Sequence, residues 1–107
     1  MANAMRGEAE ITLDGEVRVM RLTLGALAGL EVGLGENGLA SLAERFEGGG
    51  VRAADLIALI GAGLRGAGHA VSDDALAGMS VEGGAAGAAR AAARLLARSF
   101  APLGDEG

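Results

Sequence analysis

Glu8-Ala9-Glu10-Ile11-Thr12-Leu13-Asp14-Gly15-Glu16-Val17-Arg18-Val19-Met20-Arg21-Leu22, running into Thr23-Leu24-Gly25-Ala26-Leu27-Ala28-Gly29-Leu30-Glu31, decides the fold. Asp-Gly between two short runs rich in Ile, Val, Leu and Thr marks a hairpin, because both central residues of a type I′ turn need positive φ. Strands are expected over 8–13 and 16–22. The period then changes: Leu24, Leu27, Ala28 and Leu30 recur at helical spacing, and Thr23 offers an oxygen to the first free N–H groups of that helix. The chain opens as hairpin, then helix.

Downstream the pattern is helical. Helix one is expected from about Leu24 to about Val32, broken by Gly33, Gly35 and Gly38. Gly25, Gly29 and Gly33 put small residues on one side of it, which permits close approach of another element, most simply as packing. Asn37 is a plausible cap for a second helix, Leu39 to Phe46, whose apolar face is Leu39, Leu42, Ala43 and Phe46. A third, about Arg52 to Leu64, carries the densest aliphatic cluster, and Leu56, Ile60 and Leu64 are expected to be buried together. Ser72 caps a short helix that reaches Met79, with Asp73 and Asp74 in its first turn. The last helix runs from about Ala85 to Phe100, and Pro102 with the Gly-rich tail ends the ordered region, about 6–101. Two strands and four or five short helices make one small α+β domain. A two-stranded hairpin is marginal alone, so it must lie on the helices or pair with another molecule's strand.

Composition narrows the chemistry. In 107 residues the formal net charge is -5, all nine basic residues are Arg, and Cys is absent. An acidic chain makes a poor general nucleic-acid binder. Without Cys there is no disulfide or thiolate metal site, and without Lys there is no Walker-type phosphate loop. Two Phe are the whole aromatic complement, which disfavours a deep small-molecule pocket. No run approaches the ~20 apolar residues of a membrane span, and Met1 to Arg6 lacks the apolar core of a signal peptide, so a cytoplasmic protein is expected.

Gly33-Leu34-Gly35-Glu36-Asn37-Gly38 and Gly61-Ala62-Gly63-Leu64-Arg65-Gly66 both match the spacing of a dinucleotide loop. That loop works only after a strand and before a helix; the first match follows a helix and the second ends one, so no cofactor is expected. His69 is the only histidine, which precludes a multi-histidine metal site. Nearby Ser72 and Asp73 are no triad by proximity alone, and adjacent Asp73 and Asp74 point about 100° apart on a helix. No catalytic, cofactor or metal residue is assigned. Arg90, Arg94 and Arg98 are different: four-residue spacing stacks three guanidinium groups along one helix face with no acid on that helix. They form either a solvated face or a stripe that docks an acidic partner or a neighbouring subunit, with apolar support from Leu95, Leu96 and Phe100.

Arg21 to Glu31, with Gly63-Leu64-Arg65-Gly66-Ala67-Gly68-His69 and Gly84-Ala85-Ala86-Gly87-Ala88-Ala89-Arg90, resembles the small tail protein family of bacterial gene transfer agents, phage-like particles that package host DNA. The resemblance runs from about Arg6 to about Phe100. The family is similar to phage tail-assembly chaperones and is also labelled a tail tube protein. It implies a non-catalytic chaperone that coats the tape-measure protein and hands it to tail tube subunits, with a homo-oligomer possible. The alternative is a structural component of the tail tube or its terminator. A tube lumen is lined by continuous sheet that needs many strands per subunit, and helical faces of period 3.6 cannot be redrawn as strands of period 2. The pattern therefore favours the chaperone.

Overall fold

The computed structural model describes residues 3, 6–34 and 38–99. An antiparallel hairpin, β1 (Glu8–Leu13) and β2 (Glu16–Arg21), is followed by α1 (Leu24–Leu34), α2 (Gly38–Gly48), α3 (Ala53–Gly66), α4 (Asp73–Ala77) and α5 (Gly84–Ser99). The architecture is α+β. Leu13 pairs with Glu16 and Glu8 with Arg21, so the loop is two residues long. Asp14 and Gly15 have φ of 50° and 83°, the positive values a type I′ turn demands.

Alternation on the hairpin places Ala9, Ile11, Leu13 and Met20 on the core face, all buried. α3 is the hub, packing on β2, α1, α4 and α5, while α5 lies along β1. Two glycines let α3 come this close. A Cβ on Gly63 would press into Leu95 and Met20, and one on Gly66 would run into the Arg21 carbonyl oxygen.

Local signals hold at the helix starts. Thr23 Oγ1 accepts from the Ala26 N–H at 3.0 Å, and Ser72 Oγ accepts from Ala75 at 3.1 Å. Four readings change. α1 continues through Gly33, since one interior glycine costs only about 1 kcal/mol. α4 ends at Ala77, capped by Gly78, short of Met79. Ala43 on α2 is exposed beside buried Leu42. On α3, Leu59, Ile60 and Leu64 are buried, but Leu56 sits half-buried at the rim. The reason is Asp55, one helical turn before Leu59 on the same face, which takes the inward position. Asn37 lies outside the described residues.

Asp55 is 1% exposed, the only buried charged residue among those described. Arg45 of α2 grips it through two hydrogen bonds of 2.8 Å, Nε to Oδ2 and Nη2 to Oδ1. The Arg52 backbone N–H donates to Oδ2 at 2.9 Å, which is half of a capping box. The Arg45 hydrogen bonds, outweighing desolvation and helped by Arg52, hold the Asp55 carboxyl well below the usual carboxylate range. The pair ties α2 to the start of α3.

Candidate docking surface

α1 carries a single charge, Glu31, and no polar face. A helix apolar all round is normally buried all round, yet here only one side is. Leu30 is in the core and Ala26 packs against it. On the outer side Leu24 is 86% and Val32 84% exposed, and Ala28 between them is exposed too. These three share one face at four-residue spacing. Beside them, no neighbour lies within 4 Å of where a Cβ would stand on Gly29 or Gly33, so the small-residue side expected to pack is open. It forms one wall of a groove of about 480 Å³, whose other wall is Ala58 and Ala62 of α3, with Arg65 and Asp73 also in its lining. Arg65 Nη1 donates to Asp73 Oδ1 at 3.0 Å and to the Val71 carbonyl at 2.9 Å.

The arginines of α5 have a different setting. Arg98 Nη1 donates to the Glu8 carbonyl at 2.8 Å, and Arg94 Nη2 reaches the Glu10 carbonyl at 3.4 Å. Both therefore cover the outer edge of β1. Further along, the Glu82 N–H donates to the Thr12 carbonyl and the Asp14 N–H to the Ser80 carbonyl, while Ser80 N–H donates to Asp14 Oδ1 at 2.8 Å. Arg90 is exposed, over the Gly83–Gly87 turn. Leu95 is wholly buried in the core and cannot meet a partner without opening the fold; Leu96 is half-buried. Phe100 lies outside the described residues.

The remaining candidates resolve locally. Gly61 to Gly66 lies inside α3, where its glycines serve packing. The Gly33–Gly38 match runs from α1 into α2, with 35–37 outside the described residues. His69 follows α3, and its backbone N–H donates to the Leu64 carbonyl. No group of three metal-ligating side chains exists among the described residues, nor is any described helix long and apolar enough to cross a membrane.

Sequence reasoning missed the open side of α1. The signal was present, in a helix without a polar face to give to solvent. No curated protein and no solved structure matches the chain. A family model described as phage tail tube protein, GTA-gp10, matches residues 6–102. With nearly the whole length matched, this chain belongs to that gene transfer agent tail protein family.

Proposed function

We propose that this tail protein acts as a non-catalytic assembly chaperone, binding apolar helical segments of the tape-measure protein on the open side of α1 until tail tube subunits take over. The observation that carries this reading is the Leu24–Ala28–Val32 stripe beside an unfilled groove. An amphipathic helix laid in such a groove is a common recognition mode, anchored at i, i+4 and i+7 positions. Ala and Gly along both walls permit close backbone approach. Arg90 at the far helix remains available to an acidic segment of the partner. The work would be done in the bacterial cytoplasm during particle assembly.

A structural place in the tail tube or terminator is the second reading, favoured by the family's description. Against it stands a sheet of two strands among the described residues, few for a continuous lumen wall. Mass spectrometry of purified particles beside a pull-down from assembling cells separates the two. A chaperone is captured with the tape-measure protein in lysate and absent from finished particles. Stoichiometric presence in finished particles would establish the structural reading.

A further inference from the structure

The two edges of the hairpin are treated differently. In a hairpin with a two-residue loop, Leu13, Ile11 and Ala9 exchange ladder bonds with Glu16, Arg18 and Met20. The alternate residues turn their main-chain groups outward. On β1 these are Glu8, Glu10 and Thr12, whose carbonyls take bonds from Arg98, Arg94 and Glu82. On β2 they are Val17, Val19 and Arg21. α3 closes the Arg21 end, where Gly66 abuts the carbonyl. Nothing among the described residues reaches the outward N–H and C=O of Val17 and Val19, and the Val17 side chain is 63% exposed. Charged residues commonly blunt such an edge; here they are Glu16 and Arg18, opposite Leu13 and Ile11, and their opposite signs allow a second copy of the same edge to match them.

We infer that a second copy of this chain pairs with β2, antiparallel and centred on Val17, to make a four-stranded sheet across a two-fold axis. The sequence selects both the occupant and the register. About Val17 the segment Glu16-Val17-Arg18 is its own complement: Val17 exchanges two main-chain hydrogen bonds with its counterpart, Glu16 faces the second copy's Arg18, and Arg18 faces its Glu16. Those flanking positions are the non-hydrogen-bonded pairs, where side chains approach closest. Within one chain Arg18 Nη2 holds Glu16 Oε1 at 3.0 Å, but Arg18 Nε is buried without a partner among the described residues. A carboxylate from the second copy can meet the exposed end of this guanidinium, the buried Nε staying out of its reach. The register centred on Arg18 sets Arg18 against itself. The one centred on Val19 sets Val17 against Arg21, beneath α3. In the Val17 register the strands overlap over 15–19, and Arg21 falls past the second copy's turn, so the end that α3 closes stays outside the paired segment. Five residues of overlap bury less than a standard interface; the dimer is weak and concentration-dependent.

Sedimentation velocity of the full chain across micromolar to millimolar concentration tests this with a charge exchange. Glu16→Arg puts Arg against Arg and Arg18→Glu puts Glu against Glu, so each variant alone should associate about tenfold more weakly than wild type. An equimolar mixture restores both pairs and should recover wild-type association. Circular dichroism checks folding. Should Arg18→Glu not fold, Glu16→Arg and Val17→Pro decide, the proline removing the outward donor without touching the ladder to β1. A strictly monomeric wild type overturns the proposal, as does association unchanged by Glu16→Arg and Val17→Pro, or a mixture no stronger than its components.

Discussion

α1 and α3 are the two apolar, glycine-studded helices of this chain, and they use glycine in opposite ways. In α3 the missing side chains are replaced by neighbours: Leu95 and Met20 at Gly63, the Arg21 carbonyl at Gly66. In α1 nothing replaces them at Gly29 or Gly33, and Leu24 and Val32 stand in solvent. A glycine that admits a neighbour contributes packing that outweighs its propensity cost; one facing an empty groove keeps the cost with no return inside the monomer. The difference teaches that α3 is built to hold the fold, whereas α1 leaves one side open, the side that the proposed function gives to a partner.

Stability measurements can break that contrast. Ile60, 3% exposed on α3, should cost about 2–5 kcal/mol on truncation to Ala. Val32→Ala on α1 should stay within about 0.5 kcal/mol. Urea unfolding of both variants reads the pair directly, and similar losses would erase the distinction.

The anchoring of α3 comes next in size. Asp55→Ala removes a helix-start acceptor and two charged hydrogen bonds from Arg45, for an expected loss of about 2–4 kcal/mol. The sign with pH follows from the direction of the shift. Because folding depresses the Asp55 pKa, its contribution is complete above the unfolded value of 3.8 and is lost as pH falls from there towards the folded one. Wild type should lose stability over that acid range more steeply than Asp55→Ala. Parallel curves from thermal melts across pH 2–6 would remove Asp55 from the account.

Smaller effects sharpen the glycine comparison. Gly66→Ala drives a methyl group against main chain, which cannot swing aside, and should cost about 1–3 kcal/mol. Gly29→Ala enters open space in a helix interior and should stabilise by about 0.5–1 kcal/mol. Opposite signs in chemical denaturation are the expected result. A destabilised Gly29→Ala would mean the groove is already filled in the free protein.

Legibility in the sequence followed the range of the interaction. The Asp14-Gly15 turn, the Thr23 and Ser72 caps and the number of helices were readable because each depends on neighbours within a few residues. The Asp55 clamp was not, since its partner Arg45 lies ten residues back on another helix. The arginine stripe was legible as a stripe but not in its use: Arg98 meets Glu8 across ninety residues. Of the candidate site, Leu95 lies in the core, a placement the sequence could not show because an apolar residue on an Ala-rich helix reads alike whether it faces core or partner. α1 posed the same ambiguity throughout, with no polar face to say which side was solvent.

The most direct test of that reading is capture of the tape-measure protein by wild type and by Leu24→Asp/Val32→Asp, with unfolding curves recorded for both. Wild-type stability with capture reduced at least about tenfold is the predicted outcome. Undiminished capture by an equally stable variant would contradict it, leaving the open side of α1 without a role in partner binding.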